Sequence, residues 1–553
     1  MRRGSSRTVW SVMLAVLIGL IGLMGSLDAM AQTRSNGVPL GGARGVVRSA
    51  KGFPIEGMMI QLISQKNAIR TTVFTNELGQ YEFPKLETGV YTLRTPRPQE
   101  FQRYVKEQVQ INGAAKLDDI ALDRITEEEF LPPTPDVLSQ LTDAEWLYNL
   151  PGTAMEKKIF NNACGGSCHS YQMPFRSKFD ERSWRLILHK MRYYGGRLLL
   201  RQEDMAEQTP QDKEYDEILV KWLSRVRGPD ATYPPMKMFP RPQGPATRVV
   251  ITEYEIPSVG VHVHDVAGDP DGNIWYTINR SPVIGRLDPK TGAVKEWKTP
   301  GTDGRHPGGH WIQSTKDGMI WYSETWSQSL IRFDPKTEQF HKMRTGVQGN
   351  MALSPDGSIW RTAQGKINEY NRETGQPIRS FEMKKFRNTY GNFVSWDGNF
   401  FGGGVGGAAP VGADGLVWMD IRTGEVREID SPSGPQDYSR GSFDPAGNIW
   451  VGGKHGVLAK YDPKTNVYSE YIPPTPYATM YNAEADKNGE IWAGLVRAGK
   501  MGRFNPKTHQ WIEYWMAEPF SHNWDSWVDN TTNPVTAWYG DQYGYIVRVQ
   551  PLE

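Results

Sequence analysis

The stretch Asp271-Gly272-Asn273-Ile274-Trp275 recurs with small changes along the second half of this 553-residue chain. Turn residues followed by β-branched and aromatic residues are typical of a hairpin and the strand after it. Successive copies end about 40 to 50 residues apart, which is the period of a propeller blade. The repeat therefore predicts a β-propeller of about seven blades over residues 247–553. The further copies are at 317–321, 356–360, 397–401, 447–450 and 488–492, with a weaker last one at 537–538.

A second phrase, Asp-Pro-Lys-Thr, follows several of these copies, at 288–291, 334–337 and 462–465. The Asp-Gly pairs turn one hairpin and the Asp-Pro-Lys-Thr run turns the next, so we expect each unit to be a small antiparallel sheet. The repeated tryptophans are expected to fill the space between blades. The composition agrees with many short strands and turns, since the chain has 57 Gly, 38 Pro, 19 Trp and 24 Tyr.

Together these two phrases resemble the propeller of streptogramin (virginiamycin B) lyases. The resemblance implies a magnesium ion at the narrow end of the central funnel, held near two histidines one blade apart. Here His264 and His310 each precede the tryptophan of their repeat by 11 residues, and Glu324 follows on the next strand. These three residues are the catalytic candidates of the propeller. The family's glutamate two positions before the second histidine is replaced by Gly308.

Equivalent positions on other blades form a polar and aromatic set that could line a small-molecule or partner site. They are Tyr390, Ser439 and Tyr481. The alternative is a funnel lined by polar residues simply because water enters it.

The segment 41–124 consists of short alternating runs separated by turn residues, which predicts a small β-sandwich. Its order of phrases, with Asn76-Glu77-Leu78-Gly79-Gln80-Tyr81-Glu82-Phe83 at the centre, resembles the carboxypeptidase regulatory-like domain. That resemblance implies a non-catalytic sandwich, of a kind often grouped with carbohydrate-binding-like folds.

The chain has two cysteines, and both belong to Cys164-Gly165-Gly166-Ser167-Cys168-His169. Covalent haem attachment needs two nearby thiols for thioether bonds, followed at once by an imidazole for the iron. The usual spacing has two residues between the cysteines, and this motif has three, of which two are glycines that can loop out at small steric cost. The competing interpretation is a local disulfide or a redox-sensing thiol pair.

Amphipathic helical patterns flank this motif, and together they resemble a short all-α class I cytochrome c domain over residues 153–228. The resemblance implies one haem c, bound to Cys164 and Cys168, with His169 as the proximal ligand. Met191 is the first candidate for the distal ligand, Met205 is the second and His189 is a further option. Pro-rich linkers are expected on either side, at 125–152 and 229–246.

Residues 1–31 combine three arginines, an apolar run and Ala29-Met30-Ala31, the pattern of a secretory signal peptide. The alternative is an uncleaved membrane anchor. If this segment is cleaved, we expect a soluble protein in the periplasm or another exported location. Contact with a membrane is expected only if the segment stays attached. With 63 basic and 62 acidic residues, the net charge of +1 argues against nucleic acid as a partner.

Three functions fit this organisation. The first is periplasmic electron transfer, with the haem exchanging electrons with a redox partner protein or a small-molecule donor while the propeller docks the partner or substrate. The second is an oxidoreductase whose substrate lies in the propeller funnel and feeds electrons to the haem. The third is a streptogramin lyase-like lyase or a non-catalytic binding protein. Because only the haem motif carries identifiable chemistry, the first two are favoured over the third.

Overall fold

A computed structural model describes residues 40–164, 169–194, 209–259, 262–279, 281–301, 308–325, 327–347, 349–406 and 414–553. The predicted signal peptide, 1–31, and two of the haem-ligand candidates, Cys168 and Met205, lie outside these residues. Across the described ranges, no helix is both long and apolar enough to cross a bilayer. The fold is mainly β, with a sandwich, a helical unit and a propeller in chain order.

The N-terminal sandwich consists of two antiparallel-rich sheets closed over one apolar core. One sheet has the order β4-β1-β7, and the other has the order β3-β2-β5-β6. Val47, Leu62 and Phe83 are among the side chains buried between them. This agrees with the alternation that predicted a sandwich here. The strands are β1 (Leu40–Ser49), β2 (Met59–Ser64), β3 (Arg70–Phe74), β4 (Gln80–Pro84), β5 (Gly89–Arg94), β6 (Val105–Ile111) and β7 (Ile120–Leu122).

The helical unit packs around an aromatic centre. Phe160 stacks on Phe175 at 4.8 Å between ring centroids, and Trp222 meets Phe160 edge-on at 5.4 Å. Residues 125–152, expected as a linker, contribute helices and Trp146 to this same core. The helices in the described residues are α1 (Pro135–Leu138), α2 (Asp143–Asn149), α3 (Ala154–Cys164), α4 (Gln172–Arg176), α5 (Glu181–Tyr194) and α6 (Pro210–Val226).

Helix α2 explains why the expected linker is ordered. Thr142 and Glu145 form the capping box that the sequence pattern predicts at its start. Glu145 also pairs with Arg97 of the sandwich at 3.2 Å, and Asp143 pairs with Arg497 of the propeller at 2.6 Å. All four of these charged side chains are buried. One short helix therefore joins the three units through two buried ion pairs.

The C-terminal unit is a propeller-like ring of four-stranded antiparallel sheets. Six sheets are complete in themselves, and a seventh is formed by β33-β34-β35-β8 within a larger eight-stranded sheet. Its first strand packs against the first strand of the first blade, so the ring closes. The described strands are β8 (Val249–Glu255), β9 (His262–Gly268), β10 (Ile274–Asn279), β11 (Val283–Leu287), β12 (Val294–Lys298), β13 (Gly309–Ser314), β14 (Ile320–Glu324), β15 (Ser329–Asp334), β16 (Gln339–Arg344), β17 (Ala352–Leu353), β18 (Ile359–Ala363), β19 (Lys366–Tyr370), β20 (Pro377–Glu382), β21 (Gly391–Val394), β22 (Phe400–Val405), β23 (Gly415–Asp420), β24 (Val426–Asp430), β25 (Tyr438–Phe443), β26 (Ile449–Gly453), β27 (Leu458–Asp462), β28 (Val467–Tyr471), β29 (Glu484–Ala485), β30 (Ile491–Leu495), β31 (Lys500–Asn505), β32 (Gln510–Trp515), β33 (Asn523–Asp529), β34 (Thr536–Asp541) and β35 (Tyr545–Pro551).

The repeated tryptophans are buried on the second strand of their blades, as expected for structural residues. In several of them, the indole N–H donates a hydrogen bond to an aspartate of the turn that precedes the strand. Trp275 donates to Asp269 at 2.8 Å and Trp450 donates to Asp444 at 2.9 Å. In these blades, one aspartate of the turn therefore fixes both the hairpin and the tryptophan rotamer.

Strand β8 joins the propeller to the sandwich. It pairs with β35 on one side and with β3 on the other, so one sheet runs from the last blade into the N-terminal unit. Glu253 of β8 lies buried in this seam and accepts a hydrogen bond from the Gln61 amide at 2.9 Å. Burial, together with the nearby Glu518 charge, raises the pKa of Glu253 to about 8.

The protonation of Glu253 gives a testable pH dependence of stability. The unfolded state loses this proton near pH 4.5 and the folded state only near pH 8, so the stability of the wild type falls between these values. We expect Glu253→Gln to melt several degrees above wild type at pH 8 and at nearly the same temperature at pH 4.5. The measurement is the melting temperature by circular dichroism, with the exposed Glu255→Gln on the same strand as the control. A constant difference across this pH range would contradict the assignment.

Candidate functional site

The first strands of the blades line the propeller axis, and four of them carry a β-bulge at the same level. In β9, for example, two residues, His264 and Asp265, face the single residue Thr277 of β10. A bulge bends the strand and re-aims its side chains, so these residues point differently from their neighbours. The extra residues on the other strands are His310 in β13, Ser439 and Arg440 in β25, and Trp524 and Asp525 in β33.

Six of the re-aimed side chains meet two tyrosines in one group, which we call the axial cluster: His264, Asp265, His310, Arg440, Trp524 and Asp525, with Tyr390 and Tyr481. Arg440 is its centre. Its Nη1 donates to Asp265 and, at 2.6 Å, to Asp525, while its Nη2 donates to His310 Nδ1 at 3.0 Å. Two carboxylates and one imidazole from three blades therefore share a single buried guanidinium.

The contacts of Arg440 fix the tautomer of His310. A guanidinium only donates, so His310 Nδ1 is the acceptor and Nε2 carries the proton. That Nε2–H donates to the Tyr390 hydroxyl at 3.3 Å, and Tyr390 in turn shares a hydrogen bond with Tyr481. His264 stacks between His310, at 4.3 Å, and Trp524, at 5.0 Å between centroids. A chain of hydrogen bonds thus runs through the axial cluster from Arg440 through His310 to the two tyrosines. The rings of His264 and Trp524 stack beside it.

Burial sets the protonation of the axial cluster. It lowers the pKa of His264 to about 3, with the Arg440 charge adding to the effect, and holds the pKa of His310 well below its usual value. Burial also raises the pKa of Asp265 to about 6 and that of Asp525 to about 7, against the opposing pull of Arg440. Both histidines are therefore neutral at physiological pH, and the carboxylate pair titrates close to neutrality.

The structure brings His264 and His310 together but directs Glu324 elsewhere. Glu324 accepts from Thr299 at 2.9 Å and Ser327 at 2.7 Å, and pairs with Lys342 at 3.1 Å. Within the described residues, no group of three or more His, Cys, Asp or Glu side chains is arranged to hold a metal ion.

The magnesium ion implied by the sequence resemblance requires several oxygen ligands around one cation. Here the two axial carboxylates, Asp265 and Asp525, already surround the guanidinium of Arg440. The axial residues described do not fit a magnesium ion, because a fixed organic cation stands between its would-be ligands.

At the haem motif, the described residues are Cys164, at the end of α3, and His169. His169 Nδ1 lies 2.9 Å from the carbonyl of Ser170. Donation from Nδ1 to that carbonyl would leave Nε2 as the nitrogen for a metal ion, which is the arrangement common to metal-binding histidines. Cys164 packs against the aromatic core of the helical unit. The described part of the motif therefore fits a haem held by its cysteines and His169.

Arg497 of the propeller holds both ends of this motif. This buried side chain lies in the short 3-10 helix Val496–Ala498 between β30 and β31. Its Nη2 donates to the Cys164 carbonyl at 2.7 Å, its Nη1 donates to the His169 carbonyl at 2.9 Å, and its guanidinium lies 4.1 Å over the Tyr171 ring. The haem motif is thereby fixed against the propeller.

The distal-ligand candidates lie near the end of α5. Met191 stands on that helix one turn after Leu188, and 45% of its side chain is exposed. His189 is on the same helix. Met205 lies outside the described residues. The choice between the two methionines therefore stays a prediction.

A hydrogen-bond chain connects the haem motif with the axial strands. Arg497 and Asp143 both lie 3.3 Å from His522 Nε2, and His522 Nδ1 shares a hydrogen bond with Gln542. The Gln542 amide then donates to His262 Nε2 at 3.4 Å. His262 opens β9, two residues before His264.

Sequence reasoning missed Arg440, Asp265, Asp525 and Arg497. Two of these flank positions that the repeat had already marked, since Asp265 follows His264 and Arg440 follows Ser439. Asp265, Asp525 and Arg440 share one signal in the sequence, a charged residue near the start of the first strand of a blade. Arg497 has no such signal, because it belongs to a short insertion between strands of the sixth blade.

The comparisons with known proteins found a matching family model and several solved structures to which this chain is similar. Residues 42–123 match the carboxypeptidase regulatory-like domain family. Virginiamycin B lyase from Staphylococcus aureus aligns at 16% identity over 54% of this chain and 99% of that chain, with a TM-score of 0.47. A streptogramin B lyase structure aligns at 18% identity over 56% and 99%, with a TM-score of 0.46.

Hydrazine synthase of Kuenenia stuttgartiensis aligns at 14% identity over 43% of this chain and 75% of that chain, with a TM-score of 0.38. No curated protein sequence matches this chain. Within this chain, residues 42–123 thus constitute a carboxypeptidase regulatory-like domain, followed by a helical unit and a propeller-like ring of four-stranded sheets.

Proposed function

We propose that this protein is an exported c-type cytochrome fused to a propeller, acting in periplasmic electron transfer. The observation that carries the proposal is the Arg497 contact with both ends of the Cys164-to-His169 motif. A buried arginine has a high desolvation cost, and here it is used to orient two backbone carbonyls and one carboxylate. Such a support is expected where the position of a short segment matters for function.

The roles of the individual residues follow from their contacts. Cys164 and Cys168 would attach the haem and His169 would be the proximal ligand, while Ser170 fixes the His169 ring through its carbonyl. The haem, when bound, supplies one-electron redox chemistry. Asp143 accepts from Ser170 and Tyr171 and pairs with Arg497, and so fixes the chain immediately after the motif. The propeller would dock the partner or substrate.

The test is expression of the full chain with its N-terminal segment in a host that has haem-attachment machinery. We expect the purified protein to begin after Ala31 and to give a pyridine haemochrome spectrum of a c-type haem. His169→Ala is expected to lose the wild-type spectrum, whereas the exposed His341→Ala is expected to keep it. A haem-free wild type with Cys164 and Cys168 joined in a disulfide would overturn the proposal.

A second candidate function is an oxidoreductase whose substrate binds at the propeller axis. The observation favouring it is the chain Arg497–His522–Gln542–His262, which links the haem motif to the strand that carries His264. Adding small-molecule donors and following haem reduction separates the two candidates. An enzyme is reduced by its substrate and slows in the axial variant Tyr481→Phe, whereas a carrier is insensitive to that change.

A further inference from the structure

A groove of about 500 Å³ lies between the sixth blade and the segment through which the chain enters the propeller. One wall is β32, the outer strand of that blade. The other wall is residues 240–246, which we call the proline strap because it contains Pro240, Pro242 and Pro245. Neither the haem motif nor the axial cluster lines this groove, so the proposed function leaves it without a role.

Strand β32 presents two tryptophans to the groove. Trp511, Glu513 and Trp515 alternate along the strand, which places them on the same face, and all three line the groove. Gly502 stands opposite Glu513 on β31, and a Cβ there would lie 2.9 Å from the Trp511 ring. Glycine at this position therefore lets the indole lie close to the sheet. Trp511 is half-buried, so part of its ring stays accessible.

The charged side chains that line the groove are already paired. Lys500 Nζ lies 2.6 Å from Glu513 Oε2 and donates to Thr475 Oγ1 at 2.6 Å. Arg241 of the proline strap pairs with Glu100 of the sandwich at 2.6 Å. Because each cation has its carboxylate beside it, the groove has no excess of either charge and favours an uncharged ligand.

The proline strap is fixed from the side of the sandwich. The guanidinium of Arg241 donates to both carboxylate oxygens of Glu100, at 2.6 and 2.8 Å, and the Gly244 N–H donates to Glu56 at 2.9 Å. The prolines restrict the backbone between these contacts. The wall that faces β32 is therefore formed before a ligand arrives, which lowers the ordering cost of binding.

Two exposed amides stand on opposite walls of the groove. Gln243 belongs to the proline strap and Gln510 to β32, and both line the groove. Among the described residues, neither side chain has a hydrogen-bond partner. Each amide offers two donor hydrogens and one acceptor oxygen. A ligand that carries many hydroxyl groups, each both donor and acceptor, matches such a pair.

We propose that this groove binds a neutral oligosaccharide, with one sugar ring against Trp511 and its hydroxyls bonded to Gln243 and Gln510. The C–H face of a sugar ring is apolar and packs on an indole, while its rim is polar. The Lys500–Glu513 pair offers further polar atoms beside the ring. A charged ligand finds no free counter-charge here, and an aliphatic one leaves the amides unused. The site is independent of the haem.

The test is isothermal titration calorimetry of the full-length protein with cellotetraose, maltotetraose and tetra-N-acetylchitotetraose as probes. We expect at least one of them to bind with a Kd of about 1 mM or tighter, and high salt to leave its affinity unchanged. Trp511→Ala should weaken this binding about tenfold or more, and Trp511→Phe, which keeps an aromatic ring, should weaken it less. The matched control is Trp297→Ala, a half-buried tryptophan on the outer strand of the first blade that does not line the groove. It should bind the sugar as wild type does.

A second variant separates binding from folding. Gln243 and Gln510 are exposed, so replacing both by alanine should leave the melting temperature and the haem content unchanged. We expect it to weaken sugar binding about 3- to 10-fold, the effect of lost hydrogen bonds. This variant decides the outcome if Trp511→Ala does not fold. No binding of any of the three sugars, or undiminished binding in the glutamine variant and in Trp511→Ala, would overturn the proposal. Tighter binding of a polyproline peptide or of tetragalacturonate would overturn the neutral sugar as the ligand class.

Discussion

Replacing Arg497 by methionine is expected to cost about 3–5 kcal/mol of stability, the usual penalty for removing one partner of a buried ion pair. The change leaves the Asp143 carboxylate buried without its guanidinium and the carbonyls of Cys164 and His169 without a donor. The melting temperature should fall by many degrees at pH 7. As a control, Arg332→Met removes an exposed pair with Glu373 and should cost less than about 1 kcal/mol.

The pH dependence of this stability loss shows whether the buried Asp143 carboxylate causes it. Burial alone would raise the pKa of Asp143, but the hydrogen bond with His522 and the Arg497 charge hold it below its usual value. A depressed carboxyl pKa stabilises the protein above the unfolded value near 4, and this contribution is lost as the pH falls through the folded value. The deficit of Arg497→Met should therefore shrink below pH 4. Adding Asp143→Asn should restore part of the stability, and a double variant as unstable as the single one would contradict this account.

Replacing Arg440 by methionine is expected to have an effect of similar size, which also shrinks as the pH falls. Asp265 and Asp525 then share a buried site without a counter-charge, so about 3–5 kcal/mol should be lost at pH 8. Their pKa values are already raised, to about 6 and about 7, and should rise further without Arg440. Carboxyls with raised pKa values lose stability as the pH rises from the unfolded value. The variant should approach wild type near pH 4.

The Arg440 variant also tests the reason for excluding a metal at the axis. Without the guanidinium, Asp265, Asp525, His264 and His310 offer a mixed oxygen and nitrogen ligand set. We expect millimolar Mn²⁺ to raise the melting temperature of Arg440→Met and to leave wild type unchanged. Stabilisation of wild type by the same ion, reversed by a chelator, would show that the guanidinium does not fill the metal position.

Sequence patterns predicted the architecture well because strands and turns are encoded locally. The Asp-Gly turns and the tryptophans specify each blade within about a dozen residues. In the first blade, for example, the side chain of Asp269 fixes both the turn and the rotamer of Trp275. The capping box at Thr142 was readable for the same reason. His264 and His310, which hold equivalent positions in neighbouring repeats, lie 4.3 Å apart between ring centroids.

The rest of the site depends on contacts between distant parts of the chain. Arg440 reaches Asp265 across 175 residues, and Arg497 reaches Asp143 across 354. Neither pairing has a local pattern. Glu324 shows the opposite problem, a local pattern that is misleading. Its position in the sequence resembles that of a site residue, but its side chain is bound by Thr299 and Ser327. A bulge of one residue decides which side chains face the axis, and the sequence does not mark bulges.

The seam between β3 and β8 has a consequence for solubility. The other six blades end in outer strands with charged residues, such as Lys295 and Glu296 on β12, and charges of this kind discourage pairing with another chain. Strand β8 reads Val-Val-Ile-Thr-Glu-Tyr-Glu, and its first six residues are buried. Without the sandwich, the edge of β8 that pairs with β3 would have no strand beside it and would be open to association. By covering this edge, the N-terminal domain is expected to prevent the last blade from pairing with other chains.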